Sequence, residues 1–210
     1  FSENTGIIVK GELRVFGTAK KPVVFSGIKG KAQSGGIIGL HRASILVRHA
    51  VFDSCGIVVT ADEEDSRTAI IRCDTSNVKL FSVQFLDSKV DSILDFQTCV
   101  SNNVIDRITI HNAEVRQHLI VLKGRLDVIE KQNRASNMIL KGRLVTSKGG
   151  TPHLVPSDDD FCFDGLDTSE LTTPVALICA SITSSIVKNL DVSSMGITNC
   201  QLQNCNVTFN

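Results

Sequence analysis

Apolar side chains in the last part of the chain recur at steps of five. Leu177, Ile182, Val187, Val192, Ile197, Leu202 and Val207 fall on one beat. The residues two before each, Val175, Ala180, Ser185, Leu190, Met195, Cys200 and Cys205, are mostly small or apolar. An α-helix repeats every 3.6 residues and a flat strand every two, so neither makes this pattern. Short straight runs with two inward side chains each, separated by corners, do make it. The same beat runs through Leu80, Phe85, Val90, Val100, Ile105, Ile110, Val115 and Ile120, with Asp95 as the polar exception.

Longer repeats agree with it. Residues 44–57 (SILVRHAVFDSCGI) align without a gap on residues 184–197 (SSIVKNLDVSSMGI). Four segments, GIIGL (36–40), AIIRC (69–73), SILDF (92–96) and HLIVL (118–122), read as one strand recurring in successive coils. Their starts lie 33, 23 and 26 residues apart, a range typical of stacked repeats whose insertions fall on loops. The longest step contains TADEEDS (60–66), which reads as such an insertion. The expected fold is all-β, a right-handed parallel β-helix (β-solenoid) with coils of roughly 23–26 residues. Leu40, Cys73, Phe96 and Leu122 are expected in one interior column. Coils fill residues 1–145 and 175–210. Between them, residues 146–174 read as an inserted, acidic, turn-rich loop with three of the four prolines. RLDVIEKQNRAS (125–136) also breaks the rhythm and has room for one helical turn.

Residues 5–30 carry a glycine-bounded strand, a G-x-L-x-V-x-G-T turn and Pro22-Val-Val-Phe25. With Gly35-Gly-Ile-Ile38 and Cys55-Gly-Ile57, this resembles the early coils of right-handed parallel β-helix proteins, the pectin-lyase-like superfamily. The resemblance covers nearly the whole chain outside residues 146–172. It is specific for fold and nearly silent on function, because that superfamily holds lyases, hydrolases, tailspikes, adhesins and inert spacers. The C-terminal pentads also resemble pentapeptide-repeat proteins, with Val or Ile where that pattern prefers Leu or Phe.

Charge and composition narrow the partners. Lys and Arg total 22, as do Asp and Glu, so no basic stripe for nucleic acid is expected. The longest aliphatic run, VALICA (175–180), is too short to span a bilayer. The chain opens at Phe1 directly into strand pattern, which reads as a processed product or a piece of something longer. Seven cysteines show neither a C-x-x-C pair nor zinc spacing, and buried free thiols are expected of them. Asn206-Val-Thr208 is a glycosylation sequon. CNVTFN at the end stays on the beat and leaves an open strand edge, which argues for a homotrimer or for further domains.

Enzymes of the superfamily set carboxylates, often with an Arg or Lys, outward on parallel strands. By that resemblance Asp95 is the candidate acid or base and Arg72 its partner, as neighbours on successive coils. The alternative for this pair is a cross-strand ion pair worth less than about 1 kcal/mol. The acidic runs Asp62–Asp65 and Asp158–Asp160 lack EF-hand spacing and read as solvated loops, with Phe161 and Phe163 docking the second one. Histidines 41, 49, 111, 118 and 153 show no ligand spacing, and no cofactor or metal is expected. The polygalacturonase and pectate lyase motifs are missing. So are Trp and Tyr, the usual platforms for sugar rings. The favoured expectation is a non-catalytic module of a surface, secreted or virion protein, such as a spike, fibre or adhesin, with carbohydrate as a candidate ligand. A polysaccharide hydrolase or lyase is the alternative, and a cytosolic pentapeptide-repeat-like scaffold a further one.

Overall fold

The computed structural model describes residues 5–27, 35–59, 67–74, 77–99, 103–124, 133–155 and 161–209. Strands and turns account for these residues, and no helix occurs among them. The first six strands are β1 (Ile7–Val9), β2 (Glu12–Phe16), β3 (Val23–Ser26), β4 (Ile37–Gly39), β5 (Ser44–Asp53) and β6 (Ile57–Val59). The middle of the chain holds β7 (Arg67–Cys73), β8 (Asn77–Lys89), β9 (Ser92–Cys99), β10 (Val104–Val115) and β11 (Ile120–Gly124). Next come β12 (Asn133–Ser136), β13 (Ile139–Thr146), β14 (Phe161–Asp164) and β15 (Val175–Thr183). The last are β16 (Ile186–Lys188), β17 (Leu190–Thr198), β18 (Gln201–Gln203) and β19 (Asn206–Phe209).

Two ladders dominate. One runs β1-β4-β7-β9-β11 and the other β19-β17-β15-β14-β12-β10-β8-β5-β2, all with parallel neighbours. From β4 to β11 the chain visits the two ladders alternately. Among the described residues the exception to parallel pairing is β6, which pairs antiparallel with β7. Residues 60–66 lie outside the described residues, as do 125–132 and both acidic runs.

The five-residue beat has a backbone cause. Among the described residues ten of the twelve non-glycine residues with positive φ come in pairs five apart, His49 and Ser54, Ser82 and Asp87, Arg107 and Asn112, Ser184 and Asn189, Asn199 and Asn204; Asn137 stands five before the positive-φ Gly142, and Arg42 stands alone. A left-handed residue turns the strand without ending its ladder, and Asn and Asp tolerate that conformation best of the non-glycine types. Between two such corners lie two inward side chains, the first directly after the corner. Ala50 and Phe52, Val83 and Phe85, Ile108 and Ile110, Met138 and Leu140 are each 1% exposed or less. Where the first position is Ser or Cys, its donor points back at the carbonyl two residues earlier. Ser88 Oγ donates to Leu86 O at 3.0 Å, Ser185 Oγ to Thr183 O at 2.7 Å and Cys205 Sγ to Gln203 O at 3.2 Å. A small polar residue there satisfies the corner carbonyl while staying in the interior.

Stacking then builds the core. Val15, Val47, Leu80, Ile105, Ala135, Phe163, Ile182 and Ile197 stand in one column through eight successive strands. Small Ala135 lies beside large Phe163, which keeps the column filled without overlap. A second column runs Phe25, Phe52, Phe85, Ile110, Leu140. Its three rings are stacked, with centroids 4.6 and 5.4 Å apart. The steps between paired residues vary along the column, 33 from Val47 to Leu80, 25 to Ile105, 30 to Ala135, 28 to Phe163, 19 to Ile182 and 15 to Ile197.

Two expectations are corrected here. Along β4, β7, β9 and β11 the register pairs Gly39 with Cys73, Cys73 with Phe96 and Phe96 with Leu122, so Gly39 takes the place expected of Leu40. Ile37 pairs with Ile71 and is fully buried, whereas Ile38, beside it, pairs with Arg72. A one-residue slip exchanges the faces of a strand, and burial of Ile37 selects the observed register. Cys200 and Cys205 are half-buried, because the ladders end beside them. Within residues 146–174, β14 takes a place between β12 and β15, with Phe163 buried. Asn103 Oδ1 accepts from the Val78 N–H at 2.7 Å, so this asparagine ties two successive strands together.

Ile182→Asp is expected to destabilise by several kcal/mol, because it strands a charge in a dry column. Thr198→Asp, exposed at the next corner, is expected to stay within about 0.5 kcal/mol of the parent in urea denaturation. Equal midpoints for the two variants would contradict the column. Gly142 tests the corners separately. It has φ 63°, and a Cβ there would lie 2.3 Å from Asn112 Oδ1. Asn112 itself holds a positive φ without being glycine, so contact rather than φ demands glycine at 142. Gly142→Ala is expected to cost about 1–3 kcal/mol by the same measurement.

Candidate functional site

Parallel register places Arg72 on β7 directly beside Asp95 on β9, with Ile38 of β4 next in the row. The two expected site residues are therefore brought together. Arg72 Nη1 lies 3.6 Å from Asp95 Oδ2, and Arg72 Nε lies 4.0 Å from Asp74 Oδ1. The Gln97 amide donates to Asp95 Oδ1. Asp95 does not stand in solvent, since its side chain is 3% exposed against 15% for Arg72. A carboxylate so enclosed needs a compensating cation, and Arg72 supplies it. The Nε of Arg72 is buried and makes no hydrogen bond.

The nearby carboxylate of Asp91 is committed elsewhere. Its Oδ2 accepts from the Thr68 N–H at 2.7 Å and from Thr68 Oγ1 at 3.1 Å. Acid–base chemistry on a polymer requires a carboxylate within reach of the scissile bond. Here Asp95 is enclosed and Asp91 fastens β9 to β7. The arrangement suits holding strands together better than presenting a proton.

Cysteine chemistry is muted as well. Cys55, Cys73, Cys162, Cys179, Cys200 and Cys205 are free thiols. Burial pushes Cys55 and Cys179 up to about 11, so both stay protonated at neutral pH and are poor nucleophiles.

A second juxtaposition joins two like tripeptides, His-Leu-Ile at 118–120 and His-Leu-Val at 153–155. His118 and His153, 35 positions apart, form a parallel bridge, and His153 bridges onward to Ala176. Backbone bonds fix this rung. The His153 N–H donates to Gln117 O at 2.8 Å, and the Leu119 N–H donates to His153 O at 2.8 Å. The rings meet edge to face with centroids 5.5 Å apart. Desolvation first, then the neighbouring His153, holds the His118 pKa below its ordinary value. His118 Nδ1 is buried without a hydrogen-bond partner. The recurrence of His-Leu-Ile (118–120) as His-Leu-Val (153–155) is the sequence signal that discloses the pair, and it falls inside a stretch read as an inserted loop.

Large apolar side chains are exposed at the two ends of the ladders. Ile8, Phe16 and Val24 lie on the first three strands; Ile186, Leu202 and Phe209 lie among the last four. A cavity of about 560 Å3 opens there beside Ser185, Ile197 and Cys200. Among the described residues no cluster of three or more metal-ligating side chains occurs, and no helix is long and apolar enough to cross a membrane. Comparison with protein-family models, with curated proteins and with solved structures finds no match.

The Arg72–Asp95 contact is testable by a double-mutant cycle. Asp95→Ala is expected to cost about 3 kcal/mol, since it leaves a largely buried guanidinium without its counter-charge. Arg72→Ala in the same background is expected to recover about 1 kcal/mol or more as coupling. Additive losses in urea denaturation would show that the two side chains do not sense each other.

Proposed function

We propose that this chain is a right-handed parallel β-helix module that serves without catalysis, as a rigid structural or recognition part of a larger surface, secreted or virion protein. One observation carries the reading. Side chains stack in continuous interior columns along two parallel ladders, which the chain visits alternately from β4 to β11. In the last third, β15, β17 and β19 stack at a 15-residue step, and left-handed corners at Ser184 and Asn189 recur 15 residues on at Asn199 and Asn204. Each coil leans on its neighbours, which makes such a stack stiff along its axis. The enclosure of Asp95 against Arg72 supports the same conclusion, because the best-placed carboxylate is spent on holding β7 to β9.

Carbohydrate or protein recognition then falls to the outward faces and loops, and a spike, fibre or adhesin is the setting that suits a stiff stack. The test is a screen of the purified protein against acidic and neutral polysaccharides, read by chain length. No shortened chains are expected from any of them. Cleavage that vanishes in Asp95→Asn would overturn the proposal in favour of a hydrolase or lyase.

A further inference from the structure

We propose that His118 and His153 form a two-imidazole site for a zinc-class divalent transition cation. The geometry is the main argument. A cation about 2.0–2.1 Å from each of two imidazole nitrogens, at a tetrahedral angle, holds the ring centres roughly 5–6 Å apart. The two rings stand with their centroids at 5.5 Å. Their backbones belong to one hydrogen-bonded rung, so the spacing is fixed by the ladder and not by loop motion. Side chains set on such a frame lose little freedom on binding.

The chemistry of the donors agrees. Borderline cations such as Zn2+, Ni2+ and Co2+ take neutral imidazole readily, whereas Ca2+ and Mg2+ require oxygen ligands. The Nδ1 of His118 has no competing hydrogen bond. Both rings are half-buried, which leaves one side open to solvent. Two protein ligands fill two of four tetrahedral positions, and the other two are left to water or to a donor from a partner molecule. The cation would also clamp the residues that open β11 to the His153 segment, which bridges in turn to Ala176 of β15.

The experiment uses the purified chain with Ni2+ and with Co2+. Saturating Ni2+ is expected to raise Tm by about 5 °C or more, and Mg2+ to leave it unchanged. His118→Gln and His153→Gln are each expected to abolish the shift. The metal-free thermal transition of each variant reports that it is folded, and either one alone suffices if the other does not fold. Co2+ is expected to give visible d–d bands without a thiolate charge-transfer band. No shift in the parent, an undiminished shift in a folded variant, or a thiolate band lost on cysteine alkylation would each overturn the proposal. None of these outcomes depends on whether the module cleaves polysaccharide.

Discussion

Parallel register between successive strands is the constraint on which everything else here rests. It sets Val47 on Leu80 and Leu80 on Ile105, so that like stands on like and each apolar side chain is covered by its counterpart. It also sets Arg72 on Asp95 and His118 on His153. A parallel ladder makes no distinction between apolar and ionisable pairs. Whatever occupies one inward or outward place is pressed against whatever occupies the same place one strand later. The candidate chemistry of this protein is therefore a by-product of the same stacking that forms its core.

The corners make that register possible. Left-handed residues at a five-residue spacing redirect the chain without interrupting its hydrogen bonds, and side-chain amides finish the connection. Asn112 Nδ2 reaches Asp87 Oδ1 at 3.0 Å, while its Oδ1 accepts from the Arg143 N–H at 3.0 Å. Asn189 Nδ2 donates to Leu171 O at 2.6 Å. Ladders of this kind end without a natural stop. At the last strands the inward Leu202 is 47% exposed, whereas Val187, which precedes it by one step of the ladder, is fully buried. Between Asp191 and Phe209 there is no charged side chain, and the backbone of an uncharged edge strand readily accepts another strand.

Much of this was legible in advance. The pentads from Leu177 to Val207 announced inward pairs and corners, and the corners at Ser184, Asn189, Asn199 and Asn204 fall where that beat requires them. The all-strand, parallel character followed from the recurring apolar segments. The adjacency of Arg72 and Asp95 followed from aligning AIIRC with SILDF, because both segments keep the same apolar residues on the same face. The alignment of GIIGL slipped by one residue, since two consecutive isoleucines offer two equivalent registers and only packing distinguishes them. The burial of Asp95 matches its place on the five-residue beat rather than the outward place that aligning SILDF gives it, and His118 meets His153 where His-Leu-Ile (118–120) recurs as His-Leu-Val (153–155).

The sequence by itself determined the period: inward side chains that recur at steps of five with corners at multiples of that step, a property of local φ and of alternation along one strand. Only the tertiary structure decided which turn lies on which. The steps vary from 33 residues to 15 because the connections between corners differ in length, and no local rule links the length of a connection to the strand it returns to. Periodicity is encoded within a strand, whereas neighbourhood is settled between strands, by which register buries Ile37 and leaves Ile38 beside Arg72.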